Sequence, residues 1–129
     1  SHGVSHRALP YLNRQQIVYE LEKSREELSD FIKKPVRTIA YPFGLQSKHV
    51  QEMAGEAGYQ YGCINLWGGR TPNPLCLRRF PVYGTDSLNA LKRKIKSHPF
   101  QRAEILKLQM LSWPAILTPL YQKFLKKYE

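Results

Sequence analysis

The chain has 129 residues, of which 42% are hydrophobic, so it can form one domain with a real core or part of one. Lysine and arginine total 20 against 10 aspartates and glutamates, which gives a net charge of +10. Such an excess favours an acidic partner, although a basic surface without a dedicated partner explains it equally well. No apolar stretch reaches the roughly 18 residues of a membrane-spanning helix, and no nucleic-acid-binding motif is present.

Two histidines, His2 and His6, open the chain in a loop-like context rich in small residues. Neutral imidazole is a common ligand for zinc, and this spacing can present two ring nitrogens to one ion. A catalytic zinc usually has three protein ligands and one open position, so a third group must come from elsewhere. Ser-His at an N-terminus is also a common remnant of a cleaved tag, and in that interpretation the pair is an accident.

The segment that follows predicts a long helix over residues 14–32. Asn13 and Gln16 have the pattern of a capping box, Leu12 and Ile17 that of a hydrophobic staple, and Pro35 ends the helical region. Helical spacing predicts a buried stripe of Ile17, Val18, Leu21, Leu28, Phe31 and Ile32. The residues predicted to lie mainly on the solvent face are Glu20, Glu22, Lys23, Arg25, Glu26 and Glu27.

Strands and helices then alternate along the chain. Strands are predicted at residues 36–41, 59–64 and 77–82, and helices at residues 47–57 and 87–96. Ser47 is the expected N-cap of the first of these helices and Gly58 its stop. Alternation of this kind predicts an α/β fold with a parallel sheet, in which ligands collect at the C-terminal ends of the strands. The loop from His2 to His6, the turn at residues 42–44 and the loop at residues 65–75 should therefore share one face.

Several motifs now stand in a fixed order. His-x-x-x-His-x-x-Leu precedes the charged helix, and Ala40-Tyr41-Pro42-Phe43-Gly44 follows it; Ala57-Gly58-Tyr59 and Leu77-Arg78-Arg79-Phe80-Pro81-Val82 come later. This order closely resembles the polysaccharide deacetylases of carbohydrate esterase family 4, the NodB-homology domain. The resemblance covers roughly residues 1–95, the C-terminal two-thirds of such a domain. It also favours a native His2 over a tag remnant.

The resemblance implies part of a distorted (β/α) barrel of the glycoside hydrolase and deacetylase type, with a helical C-terminal extension. It implies a metal-dependent hydrolase that removes N-acetyl groups from an amino-sugar polysaccharide. The metal is expected to be zinc, with cobalt, nickel or manganese as alternatives, and His2 and His6 match the two metal-binding histidines. The third ligand and the general base are aspartates of an upstream Thr-Phe-Asp-Asp motif, which implies that an N-terminal portion precedes Ser1.

The same resemblance assigns further site residues. Phe43 matches the residue whose backbone contacts the oxyanion, and Arg79 is a weaker candidate for electrostatic help. The residues expected to contact the substrate are Tyr41, Pro42 and Trp67. The plain alternative for the turn is that it only reverses the chain, with Phe43 in the core.

Some features depart from the family pattern. Gly3 replaces the usual Ser or Thr, Ala40 replaces an Arg, and neither the Asp-x-x-Asp-Trp motif nor the Leu-x-His that carries the general acid is found. A degenerate glycan-binding domain or a basic interaction module is therefore the alternative function.

The remaining expectations concern organisation and location. The deacetylase part should span residues 1–97. Residues 98–129 should form a tail with amphipathic helices at 103–111 and 115–125, which contacts a membrane surface or another subunit. The protein is expected in the cell envelope or secreted, without a nucleic-acid partner. Cys63 and Cys76 can form a disulfide or remain two free thiols.

Overall fold

The structure, a computed structural model, describes residues 1–65, 73–79 and 82–95 of the chain. The chain divides into two compact units, residues 1–78 and residues 79–129. The regular elements of the described part are α1 (Arg14–Ile32), β1 (Thr38–Ala40), α2 (Lys48–Glu56), β2 (Tyr61–Ile64), β3 (Leu77–Arg78) and α3 (Leu88–Ile95). The predicted division at residue 97 and the two tail helices lie outside the described residues, so they stay predictions.

Helix α1 begins and ends as the sequence predicts. The side chain of Asn13 accepts a hydrogen bond from the Gln16 N–H at 2.9 Å, and the Gln16 side chain accepts one from the Asn13 N–H at 3.2 Å. This capping box satisfies two of the helix's N-terminal donors. At the other end Lys33 takes a left-handed conformation with φ of 52°, which stops the helix before Pro35.

The three strands of the first unit form a parallel sheet in the order β1-β2-β3. Ile39 pairs with Gly62 and Cys63 pairs with Leu77. Helix α2 connects β1 to β2, since parallel neighbours need a crossover connection. The α/β class with a parallel sheet is confirmed, and each described strand is shorter than predicted.

One apolar core lies between this sheet and its helices. Its members are Leu9, Ile17, Leu21, Ile39, Tyr41, Val50, Met53, Ala54, Tyr59, Ile64 and Cys76. The prediction that the stripe of α1 is buried along its whole length is wrong, because Leu28, Phe31 and Ile32 are 40%, 86% and 48% exposed. A helix of this size is about 28 Å long, whereas a four-residue strand spans about 13 Å. The short sheet therefore covers only the first turns of α1.

The Tyr41 side chain lies against Gly62 of β2, where the absence of a side chain leaves room for the ring. Its side chain is fully buried, and its hydroxyl donates to the Leu75 carbonyl at 3.1 Å. A Cβ at Gly62 would lie 2.6 Å from that hydroxyl and 2.5 Å from the Leu75 carbonyl oxygen. Gly62 is thus required by the close approach of the tyrosine rather than by its own backbone angles.

The described part of the second unit contains α3 and the turn before it. Ser87 caps the helix by accepting from the Ala90 N–H at 3.2 Å. Lys94 and Asp86 form a largely buried ion pair at 2.6 Å, and the Lys94 ammonium lies 5.3 Å from the centre of the Tyr83 ring. In this second unit, as in the first, none of the described helices has the length and apolarity to cross a bilayer.

Candidate active site

The first residues of the chain lie along the edge of β1. The Ser1 nitrogen donates to the Thr38 carbonyl at 2.8 Å, and the Ser1 carbonyl accepts from the Ala40 N–H at 2.9 Å. These two bonds are those of a parallel strand neighbour. His2 therefore follows directly at the C-terminal end of β1, where the sequence placed it.

Nδ1 of His2 is hydrogen-bonded to the carbonyl oxygen of Ala40, the last residue of β1. A carbonyl oxygen can only accept, so Nδ1 must carry the proton. In the neutral ring the lone pair is then on Nε2. Metal-binding histidines usually show this arrangement, with one ring nitrogen donating to a carbonyl or carboxylate and the other facing the ion.

The rings of His2 and His6 lie side by side, with their centroids 4.8 Å apart. If two imidazoles bind one tetrahedral zinc at about 2.1 Å, their centroids are about 5 Å apart. The observed spacing therefore fits a shared ion. No group of three His, Cys, Asp or Glu side chains that could hold a metal occurs among the described residues, so the two histidines are a partial donor set.

Glu20 supports the loop between the histidines. It is 3% exposed, and its Oε2 accepts from the N–H groups of Val4 at 2.7 Å and Ser5 at 2.9 Å. The Ser5 hydroxyl bonds to the other carboxylate oxygen. The prediction that Glu20 lies on the solvent face is therefore wrong, because these loop donors lie over it.

The turn at residues 42–44 lies beside this loop. The Phe43 ring meets the His6 ring edge-on, with centroids 4.6 Å apart, and Phe43 has a φ of 57°. Backbone N–H groups of Gly44 and Leu45 donate within the turn, whereas the Phe43 N–H has no acceptor among the described residues. Phe43 is half-buried and lies outside the apolar core, whereas the plain alternative for the turn placed it in the core.

Asn65 holds the same turn from the end of β2. Its side-chain amide donates to the Phe43 carbonyl at 2.8 Å. The first residue of the predicted 65–75 loop thus shares a face with the histidine loop and the turn, as the strand ends predict. Residues 66–72 of that loop lie outside the described residues.

The other predicted site residues are Tyr41, Pro42, Trp67 and Arg79. Tyr41 and Pro42 are both fully buried in the described structure rather than exposed at its surface, and their contact with a substrate stays a prediction. The aromatic ring of Tyr41 fills the core above Gly62. Trp67 lies outside the described residues. Arg79 is exposed and directly follows β3.

Sequence reasoning missed Glu20 and Asn65. The signal for Glu20 was present, because it stands three residues after Ile17 and four before Ser24, on the buried stripe of α1. Asn65 gave no comparable signal, since an asparagine that begins a loop is common. Both cysteines of the chain are free thiols, Cys63 half-buried and Cys76 buried, which excludes the disulfide alternative.

Comparison with known proteins gives a consistent answer. Residues 1–62 match the polysaccharide deacetylase family. The fold is similar to that of the deacetylase PplD from Streptococcus pyogenes in complex with acetate, with a TM-score of 0.67 and 21% identity over 74% of this chain and 43% of PplD. It is also similar to BC0361, a polysaccharide deacetylase from Bacillus cereus, with a TM-score of 0.65 and 27% identity over 74% of this chain and 31% of BC0361. No curated protein sequence matches.

The resemblance to the polysaccharide deacetylases found in the sequence is therefore confirmed, since the family model matches residues 1–62 and the similar solved structures include a polysaccharide deacetylase. This segment includes both histidines, the long helix and the turn that contains Phe43. The match from the first residue onward favours a native His2 over a tag remnant. The chain spans less than half the length of the solved structures that it resembles.

Proposed function

We propose that this chain is part of a metal-dependent hydrolase that removes N-acetyl groups from an amino-sugar polysaccharide. The observation that carries the proposal is the distance of 4.8 Å between the ring centroids of His2 and His6 at the C-terminal end of β1. Beside them the Phe43 N–H has no acceptor among the described residues. Metal-binding imidazoles and a backbone donor for the oxyanion are groups that metal-assisted amide hydrolysis at neutral pH uses.

His2 and His6 would hold the divalent cation, with zinc expected and cobalt, nickel or manganese as alternatives. Such an ion polarises an amide carbonyl and lowers the pKa of a bound water toward ~7. The third ligand and the general base would be the two aspartates of a Thr-Phe-Asp-Asp motif outside this sequence. A carboxylate there would take a proton from the attacking water.

The residues of this chain would position the reacting groups. Nδ1 of His2 keeps its proton and donates a hydrogen bond to the Ala40 carbonyl, which would fix the ring and leave Nε2 as the atom that binds the ion. The Phe43 N–H would donate to the acetyl carbonyl oxygen as that oxygen gains negative charge. Arg79 would add a positive charge, and Trp67 would line the sugar or acetyl pocket.

The wider organisation is proposed on the same basis. Ser1 already pairs with β1 on the edge opposite β2, so further strands there would extend the parallel sheet toward a distorted (β/α) barrel. The deacetylase part would end near residue 97, with residues 98–129 as a tail that contacts a membrane surface or a subunit. A polysaccharide substrate would place the protein in the cell envelope or outside the cell.

A glycan-binding domain without catalysis is the second candidate function. The observation that favours it is that the described residues contain two imidazoles at the site but no third metal-binding side chain. The two candidates differ in chemistry, because only the enzyme releases acetate.

The deciding experiment uses the complete protein that contains this chain. Acetate release from N-acetylchitooligosaccharides and from peptidoglycan fragments is measured before and after chelation, and again after zinc is restored. His2→Ala combined with His6→Ala should abolish both the bound metal and the release of acetate. His49→Ala is the matched control, because His49 is exposed on α2.

Each outcome has a distinct meaning. Full metal content without both imidazoles would show that the site is assigned wrongly. Oligosaccharide binding without any release of acetate by the wild-type protein would favour the glycan-binding domain. Loss in the double variant together with an unchanged His49→Ala protein is the result that we expect.

A further inference from the structure

Glu20 lies beneath the loop that carries the two histidines, and no motif assigned it a role. Three donors converge on its carboxylate: the N–H groups of Val4 and Ser5, at 2.7 Å and 2.9 Å, and the Ser5 hydroxyl. All three belong to residues between His2 and His6 in the sequence. The carboxylate is therefore hydrogen-bonded to the backbone of the segment that connects the two histidines and so determines the distance between their rings.

Glu20 stays ionised in this buried position. Burial by itself raises the pKa of the Glu20 carboxyl, but hydrogen bonds from Ser5 and Val4 and the charge of Arg7 outweigh it and lower that pKa. A buried carboxylate without partners is strongly unfavourable. Separation of the loop from α1 would remove these three hydrogen bonds from the carboxylate.

The loop itself has a conformation that most residues avoid. His6 has a φ of 53° and Gly3 a φ of 76°. A Cβ at Gly3 would lie 3.0 Å from Oε2 of Glu20, so the glycine lets the backbone close around the carboxylate. Strained backbone of this kind persists only where surrounding contacts hold it, and Glu20 supplies such contacts.

Neighbouring contacts anchor the same segment to α1. The Ser1 hydroxyl bonds to the Ser24 hydroxyl at 2.8 Å, and Ser24 in turn donates to the Glu20 carbonyl at 2.6 Å. Ser1 and the Val4–Ser5 segment are thus both held by one turn of α1.

We propose that Glu20 is the positioning residue of the histidine loop, whose carboxylate fixes Val4 and Ser5 so that the rings of His2 and His6 face one cation. The effect on the cation rests on the proposed function. The effect on the loop geometry does not, and it can be measured in the metal-free protein. Glu20 acts through the loop and does not itself touch substrate or ion.

The test compares Glu20→Gln with Glu22→Gln in the complete protein. Glutamine keeps the size of the side chain but loses its charge and one of the two accepting oxygens. Glu22 is an exposed residue of the same helix, so it controls for the change of charge. Zinc affinity is measured by competition with a chromophoric chelator, and the visible spectrum of the cobalt-substituted protein reports the ligand geometry.

We expect Glu20→Gln to weaken zinc binding by about 10- to 100-fold, the usual effect of removing a group that orients a metal ligand. The cobalt spectrum should change, and Glu22→Gln should match the wild type in both measurements. Hydrogen exchange at the Val4 and Ser5 amides of the metal-free protein should also become about tenfold faster in Glu20→Gln. Circular dichroism verifies that each variant is folded.

The outcomes separate this inference from the proposed function. A wild-type protein that binds no zinc would refute the metal site, while amide exchange in the metal-free protein would still decide the role of Glu20. Unchanged exchange and unchanged zinc affinity in Glu20→Gln would overturn the inference. If that variant does not fold, Ser5→Ala removes one donor, and it should shift the same measurements in the same direction; no shift would equally overturn the inference.

Discussion

The side-chain amide of Asn65 donates a hydrogen bond to the carbonyl oxygen of Phe43 at 2.8 Å. This bond joins the residue after β2 to the turn after β1. A Cβ at Gly44 would lie 2.2 Å from Cγ of Asn65, so the amide can approach the turn only because a glycine stands there. Asn65 thereby orients the peptide that precedes Gly44 and holds Phe43 at its positive φ.

Asn65→Ala should therefore impair catalysis more than substrate binding. Without the amide, Phe43 can relax and its N–H, which we propose as the donor to the acetyl oxygen, can move, and such a loss matters most in the transition state. We expect kcat to fall by about tenfold with KM little changed, and the free energy of unfolding to fall by about 1 kcal/mol. Steady-state kinetics and urea denaturation of the complete protein measure both.

Asn89→Ala is the matched control for this change. Asn89 is exposed on α3, where alanine is the better helix former. The free energy of unfolding of Asn89→Ala should rise slightly, and its kcat and KM should not change. A rise in KM at constant kcat in Asn65→Ala would contradict the role given to the Phe43 turn.

Local signals in the sequence predicted the positions of α1 and α2 and the parallel sheet well. The capping box at Asn13 and Gln16 placed α1 correctly, because this device acts within four residues. Ser47 and Gly58 placed α2 to within one residue of each end for the same reason. The parallel sheet followed from alternation, and the histidine pair was placed correctly at a strand end.

Contacts between distant residues could not be predicted from the sequence. Glu20 contacts Val4 and Ser5 across 16 and 15 residues, respectively, and a glutamate on an amphipathic helix is more often solvated. Tyr41 was predicted to contact the substrate because it belongs to the Ala-Tyr-Pro-Phe-Gly motif. In the structure its ring lies in the core, in the space that the missing side chain of Gly62 leaves. Such gaps depend on the register of two strands, which the local pattern does not fix.

The gap at Gly62 can be tested by comparing two glycine-to-alanine changes. Gly62→Ala would place a methyl group 2.5 Å from the Leu75 carbonyl oxygen, so we expect a loss of about 1–3 kcal/mol from overpacking. Gly55→Ala lies in α2 and would meet only Cδ1 of Leu75 at 3.4 Å. Since alanine favours a helix over glycine, this change should gain up to about 1 kcal/mol. Urea denaturation should show that Gly62→Ala lowers the free energy of unfolding and that Gly55→Ala raises it. Equal effects of the two changes would contradict the packing around Tyr41.

The buried hydroxyl of Tyr41 should make stability depend on alkaline pH. Burial raises the pKa of Tyr41 above its ordinary value, and nearby Cys76 and Cys63 add to that rise. The unfolded chain then releases this proton more readily than the folded one. The stabilising contribution is complete below about pH 10 and is lost as pH rises toward the folded pKa.

Tyr41→Phe isolates this effect, because it keeps the ring and removes the ionisable group. Its cost should be about 1 kcal/mol at pH 7, from the lost bond to Leu75, and should shrink above pH 10 as the wild type weakens. KM should stay unchanged, since the side chain is buried. Tyr19→Phe on the exposed face of α1 is the control. A constant difference between Tyr41→Phe and wild type up to pH 12 would contradict the raised pKa.

The carboxylate of Glu20 should make stability depend on acidic pH in the opposite sense. Although burial opposes ionisation, the hydrogen bonds from Ser5 and Val4 keep the pKa of Glu20 below its ordinary value. The unfolded state therefore binds a proton at higher pH than the folded state does. The stabilising contribution is complete above about pH 4.3 and is lost as pH falls through the folded pKa. The free energy of unfolding of wild type should approach that of Glu20→Gln on acidification from pH 6 to pH 3. Glu22→Gln should run parallel to wild type throughout, and a Glu20→Gln curve that did the same would show that the charge of Glu20 does not hold the loop.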